Sequence, residues 1–213
     1  MCIKRSIAVS MIGLALICLN APLLADDGNG ARYRWDLFQV VDITATSFTI
    51  AAGGFNIAAA EFTPNQFVGG DGSTITLSGS GTFQLGDGED VSGGGTWTTA
   101  AADGTVTGSG TYRVSRLVFF HLGAGTLGGA TGVVDAIGNL ADTRAGIAVL
   151  TVHYSDGDNG ILVVSCNIAG PAAVVEGSTA TKGVVDYADP FFPTNNPALF
   201  NSYGNTLFHV LHE

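Results

Sequence analysis

The chain contains little cysteine and little positive charge. Three cysteines occur in 213 residues, and eight Lys and Arg residues stand against 18 Asp and Glu residues, for a formal net charge of −10. So few cysteines exclude a disulfide-rich scaffold. The shortage of basic residues argues against nucleic-acid binding and against docking on anionic lipid, because both need clusters of Lys and Arg. We therefore predict no nucleic-acid partner.

Outside its first 25 residues the chain also lacks a long apolar run with a positively charged start. Lys4 and Arg5 precede a short apolar run over residues 7–19, and Ala25 supplies a small residue for cleavage. This order is typical of an export signal. The run is shorter than the roughly 20 apolar residues of a membrane helix, so we predict no membrane span.

The predicted organisation is a signal peptide over residues 1–25, a flexible tail over residues 26–31 and one domain over residues 32–213. The protein would then be secreted or periplasmic after cleavage. Cleavage would remove Cys2 and Cys18, and Cys166, which lies within an apolar run, is expected to be an inert core thiol.

Motifs of the common enzyme classes are missing as well. The sequence has no Gly-x-Ser-x-Gly, no His-Glu-x-x-His, no phosphate-binding Gly-x-x-x-x-Gly-Lys and no Cys-x-x-Cys. The stretch from Asp156 to Gly160 resembles the start of a calcium loop but lacks the downstream glutamate, so a hairpin turn is favoured there. We predict no cofactor and no metal site.

The sequence is instead rich in glycine, and a repeat organises it. Asp-Gly begins at Asp71, Asp87 and Asp103, which gives a constant spacing of 16 residues. Each unit contains a block of small residues that ends in Thr and an aromatic residue: Phe83, Trp97 or Tyr112. Asp-Gly between runs of alternating polarity is a strong hairpin signal, so residues 71–120 are predicted to form an antiparallel meander.

Alternation within the repeat assigns the glycines to the apolar face. Gly79 and Gly81 share the parity of Phe83, and Gly108 and Gly110 share the parity of Tyr112. Glycine weakens a strand unless another group approaches it closely. An aromatic ring of a neighbouring strand is therefore expected to cover each glycine pair.

The rest of the chain predicts further strands. Residues 33–43 and 47–51 read as the first two, and residues 174–187 and 206–211 read as later ones. Apolar runs over Ala145–Tyr154 and Gly160–Ile168 flank a polar turn and predict a hairpin buried on both faces. Residues 133–140 have helical spacing, although Val133 and Val134 fit a strand equally well. Asn196, Pro197 and Gly204 bracket one or two helical turns.

About nine or ten short strands with glycine-rich turns predict an all-β domain with at most one or two short helices. Closure of the meander into one β-barrel is favoured because it removes exposed strand edges. A β-sandwich is the alternative.

Four residues are candidates for binding a ligand. Arg116 has the parity of Tyr112 and Val118, so it falls on the predicted apolar face. There it would pair with a carboxylate, be turned outward by a β-bulge, or anchor a ligand. His121 ends a strand, His153 lies near a turn, and Trp35 could line a pocket.

The Gly-Thr-Trp and Gly-Thr-Tyr endings resemble those of avidin-type barrels, and the Gly/Thr-rich meander resembles allene oxide cyclase and dirigent barrels in style. The likeness covers a few residues of the meander and carries over no functional residue. The leading hypothesis is an exported protein that binds a small apolar molecule or a surface partner. The alternatives are a cyclase or isomerase, in which Arg116 and a histidine polarise a carbonyl, and a structural surface or matrix protein. The Ala145–Ile168 hairpin offers a face for oligomer formation.

Overall fold

The computed structural model describes residues 30–62, 70–168, 176–188 and 205–212, and most of these residues form β-strands. The strands are β1 (Arg32–Val41), β2 (Phe48–Ala52), β3 (Phe55–Phe62), β4 (Thr74–Ser78), β5 (Ser80–Gln84), β6 (Asp87–Ala100), β7 (Val106–Leu122), β8 (Val133–Asp135), β9 (Thr143–Arg144), β10 (Gly146–Tyr154), β11 (Asn159–Cys166), β12 (Gly177–Lys182), β13 (Val185–Ala188) and β14 (Thr206–Leu211). The predicted all-β class is confirmed.

The strands form one large sheet in the order β4-β3-β13-β12-β11-β10-β7-β6-β5-β1-β14-β9. Strand β2 pairs with β1 and with β8, and β4 makes an additional pairing with β6. All these pairings are antiparallel except that of β2 with β8. This order establishes one sheet. It does not confirm the predicted closure of the sheet into a barrel.

The predicted meander is present, and it contains a bend that the repeat does not predict. The first unit is divided at Gly79 into β4 and β5, and both halves pair with the long strand β6. Gly79 has φ of +147°, a conformation that residues with a Cβ rarely adopt. The bend directs the two halves to different partners, since β4 pairs with β3 and β5 pairs with β1.

The strongest predicted hairpin lies in the middle of the sheet. Strands β10 and β11 pair from Gly146 with Cys166 to His153 with Asn159. The outer edge of β10 is taken by β7, and that of β11 by β12. Alternate residues of β10 are buried, and those between them are partly exposed. Only the outer face of this hairpin is therefore open to other molecules.

The stretch after β7 covers part of the sheet. It contains the short parallel strand β8 and a three-residue 3₁₀ helix, Leu140–Asp142, in place of the longer helix that the spacing of residues 133–140 allowed. Val133 and Val134 are strand, the other reading of that segment. The predicted helical turn around Asn196, Pro197 and Gly204 lies outside the described residues, as do residues 1–29.

Aromatic rings fill the apolar interior beside the glycines. Trp35, Phe83 and Phe208 are among the largest fully buried side chains. A Cβ on Gly81 would lie 2.7 Å from Trp35 Nε1, and a Cβ on Gly108 would lie 3.1 Å from the Trp97 ring. A Cβ on Gly110 would lie 3.0 Å from Trp97 Nε1. The prediction that rings cover these glycines is confirmed.

Two residues that share the parity of Tyr112, and that alternation therefore assigns to the apolar face, lie elsewhere. Val106 is 62% exposed and Val118 is 56% exposed. Val106 stands at the start of β7, where the pairing with β6 is irregular. Val118 lies at a register shift against β10. A two-residue period assigns faces correctly only while the pairing stays regular.

Candidate functional site

Trp35 is separate from the other three candidates. It lies in β1 with no exposed surface and stands directly opposite Gly81 of β5. Its indole Nε1 has no hydrogen-bond partner among the described residues. The structure therefore places Trp35 in the core of the sheet, where it covers a glycine.

Two irregularities in β7 decide the position of Arg116. Val114 pairs with Val152 and Arg116 pairs with Thr151, so Ser115 is an extra residue. Leu117 and Phe119 then pair with consecutive residues of β10, so Val118 is a second extra residue. The first bulge reverses the parity of β7 and turns Arg116 outward, where it is exposed. Its expected position on the apolar face is wrong, and the bulge named as one alternative accounts for it.

The same register brings three of the four candidates onto one side of the sheet. His153 pairs with Arg113, Thr151 pairs with Arg116, and Ile147 pairs with His121. We call the outward side chains Arg113, Arg116, Phe119, His121, Thr151 and His153 the arginine face. Residues 147 to 153 of β10 span it, which corresponds to about 20 Å at strand spacing.

One end of the arginine face opens into a cleft. The cleft has a volume of about 390 Å³ and is lined by residues that include Arg113, His153, Tyr154 and Asp158. The imidazole Nδ1 of His153 is hydrogen bonded to the side-chain oxygen of Asn159. This bond fixes the ring next to Arg113 and leaves the other ring nitrogen available.

The other end of the arginine face carries aromatic rings. Phe119 is 53% exposed, which is unusual for a large apolar side chain. Its ring and that of His121 are parallel to within 5°, with centroids 6.5 Å apart. Because these residues alternate on one strand, both rings project from the same side of β7.

Elsewhere among the described residues, cationic side chains are mostly neutralised. Arg32 pairs with Asp90 at 2.9 Å, and Arg34 pairs with Asp36 at 2.7 Å. Arg144 donates to the backbone carbonyls of residues 141 and 143. Within the described ranges, Arg113 and Arg116 form no ion pair, so the arginine face presents two exposed guanidinium groups that are not bonded to a carboxylate.

Lys182 neutralises the acidic side chains of the turn at residues 156–160, which resembles the start of a calcium loop. Its ammonium is bonded to both Asp156 and Asp158 and lies 4.4 Å from the centroid of the Trp97 ring. The hydrogen bonds from this lysine hold the pKa of Asp156 below its usual value. The two aspartates of the predicted turn thus bind a cation supplied by the chain itself.

A buried polar cluster was not predicted from the sequence. His209 Nε2 lies 2.7 Å from Asp135 Oδ2, and both side chains are almost fully buried. Asp36 is buried nearby, where burial raises its pKa and the hydrogen bonds from Arg34 oppose that rise. Asp135 and His209 are 74 residues apart, so only the tertiary fold brings them together. The signal that could have revealed the pair was one histidine within an otherwise apolar strand.

No group of three or more His, Cys, Asp or Glu side chains within the described ranges is arranged to hold a metal ion. A search of the same residues for a helix long and apolar enough to cross a membrane finds none.

Comparison with known proteins gives no relative. The chain matches no family model, no curated protein and no solved structure. Any functional assignment must therefore rest on the chemistry of the residues described above.

Proposed function

We propose that this is an exported binding protein that holds an anionic partner on its arginine face. The observation that carries the proposal is the position of Arg113 and Arg116 on a protein of net charge −10. Both arginines are exposed, and neither has a carboxylate partner in the part of the chain that the structure describes. A guanidinium binds carboxylate or phosphate groups through paired hydrogen bonds. Export is supported by the pattern of residues 1–25.

Electrostatics favours a different molecule over a second copy of the chain. If two copies met through this face about a twofold axis, the same positively charged surface of each would be brought against the other. That contact would place like charges together at a cost. An anionic partner would instead gain from them.

We also propose that the sheet closes into a barrel around its aromatic core. Two features support closure. Strand β4 pairs with β6 in addition to β3, and β9 is separated from β10 by Ala145 alone. The inward positions are occupied by packed side chains such as Trp35 and Phe83. This arrangement favours binding on the outer face over binding of an apolar molecule inside.

The test is binding to anionic polymers. The purified mature protein would be titrated against poly-L-glutamate, polygalacturonate and uncharged dextran at low salt. We expect binding to at least one anionic polymer, weakening as salt rises because exposed charges are screened, and no binding to dextran.

Variants locate the site. The double variant Arg113→Gln/Arg116→Gln should lose binding, because both guanidinium groups are removed while the bulk of the side chains is retained. Arg32→Gln/Arg144→Gln removes the same charge away from the arginine face and should retain binding. Equal binding by wild type and Arg113→Gln/Arg116→Gln, or no binding of either anionic polymer by wild type, would overturn the proposal.

A further inference from the structure

The arginine face also indicates the chemical class of its partner, and this inference rests on the proposed function. Its charged and aromatic groups follow one strand pair over about 20 Å and do not converge on one point. Arg113 and Arg116 lie toward the cleft, whereas Phe119 and His121 lie toward the opposite end. A partner that contacts both ends must be extended along the strands.

The aromatic end selects for a flat group. Because the rings of Phe119 and His121 are parallel with centroids 6.5 Å apart, one flat group can contact both. The faces of aromatic rings carry negative charge density and attract the weakly positive C–H groups of an apolar surface. The face of a sugar ring presents such C–H groups. A flexible acidic side chain of a peptide does not present a flat surface of this kind.

The charged end selects for carboxylates at intervals along the same partner. Arg116 pairs with Thr151, and Arg113 pairs with His153, two residues further along β10. The two arginine side chains therefore project from neighbouring positions on the same face of β7. On β10, the ring nitrogen of His153 and the hydroxyl of Thr151 add hydrogen-bonding groups beside them. A chain that repeats a ring and a carboxylate satisfies both ends.

We propose that the arginine face binds an acidic polysaccharide of the polyuronate type. Its carboxylates pair with Arg113 and Arg116, and one of its sugar rings stacks on Phe119 and His121. The polymer runs along β7 and β10 from the cleft toward residue 147.

The experiment compares Phe119→Ala with Val118→Ala, an exposed apolar neighbour at a bulge. Each variant and the wild type would be titrated with polygalacturonate, with its methyl-esterified form and with poly-L-glutamate. Because Phe119→Ala removes the ring that stacks on the sugar, we expect it to weaken polygalacturonate binding about fivefold. Val118→Ala should leave it unchanged, and the methyl ester should bind weakly to all three proteins. Because Phe119 is exposed, its replacement should leave the protein folded. Thermal melting of each variant checks this.

The outcomes separate this inference from the proposed function. If Phe119→Ala binds polygalacturonate as tightly as wild type does, the stacking inference is wrong, even if Arg113→Gln/Arg116→Gln abolishes binding. Tighter binding of poly-L-glutamate than of polygalacturonate would identify an acidic peptide as the partner and overturn the inference. Retained binding by Arg113→Gln/Arg116→Gln would overturn the proposed function itself. Shifts of the Phe119 ring protons on adding polygalacturonate, and not on adding poly-L-glutamate, would support the stacking directly.

Discussion

At the scale of single residues, glycine has a packing role in this protein. Gly81 lies between the backbone of β6 and the indole of Trp35. Its φ is not in the left-handed region, so lack of space explains the glycine here. At Gly79 the backbone conformation itself explains it.

We expect Gly81→Ala to destabilise the protein. The new Cβ would overlap the carbonyl oxygen of Ser92 and lie 2.7 Å from Trp35 Nε1. Overpacking of this kind costs about 1–3 kcal/mol, occasionally more, and would lower Tm by several degrees in a domain of this size. Ser80→Ala, one residue away on the other face, is the control and should cost far less. Similar melting temperatures for the two variants would contradict the packing assigned to Gly81.

Cys166 is expected to behave as an inert thiol. It is 2% exposed, and burial raises the pKa of its thiol above the ordinary value, which disfavours the reactive thiolate. A thiol-specific dye should therefore leave the native mature protein unmodified and label one group after denaturation. Rapid labelling under native conditions would show that Cys166 is accessible.

At the scale of elements, the bulges of β7 have the largest effect on the surface. If β7 and β10 paired regularly through Ser115, Arg116 would have the parity of Val114 and point inward. If the pairing then stayed regular through Val118, Phe120 would point away from the core, where its ring now lies 4.8 Å from that of Tyr33. Together, the two bulges turn Arg116 outward and keep Phe120 in the aromatic core.

Glu176 connects three strands. Its carboxylate accepts hydrogen bonds from the backbone N–H of Asn167, which follows β11, and from the N–H and hydroxyl of Thr206, which begins β14. The residue itself immediately precedes β12. Burial raises the pKa of this carboxyl from 4.5 to about 7, although the hydrogen bonds oppose the rise.

This pKa predicts a dependence of stability on pH. Between pH 4.5 and 7 the folded state keeps a proton that the unfolded state has lost. Stability from this group is therefore greatest below pH 4.5 and falls as the pH rises through 7. The loss should be on the order of 2–3 kcal/mol. Glu176→Gln, which resembles the protonated form, should reduce the fall in Tm between pH 5 and 7.5. An equal fall in the two proteins would show that Glu176 is not responsible.

At the scale of the whole molecule, export is the prediction on which the proposed role depends. Expressed with its own leader, the protein should leave the cytoplasm with a mass that corresponds to a first residue Asp26. Mass spectrometry of the extracytoplasmic and cytoplasmic fractions tests this. A variant with Lys4 and Arg5 replaced by Glu is a suitable control, because it removes the positive start of the signal. Recovery of the full-length Met1 form from the soluble cytoplasm would contradict export.

The sequence by itself determined the strands and their turns. Alternation, Asp-Gly turns and β-branched runs are local signals, and they located the hairpin of β10 and β11, the meander and the terminal strand β14. The same local logic assigned Gly81 and Gly110 to the face that carries the aromatic rings. These features depend on the near neighbours of each residue, and a period of two is sufficient to read them.

The tertiary structure decided which partners the strands take and which way irregular residues face. The bend at Gly79 divides one predicted strand between β3 and β1, and the bulges at Ser115 and Val118 reverse the parity of β7. The pair formed by Asp135 and His209 likewise depends on packing between distant segments. A bulge is defined by a mismatch between two strands, so the sequence of one strand does not contain it. For this reason the sequence pointed to Arg116 and His153, while only the pairing of β7 with β10 set them beside Arg113 on one face.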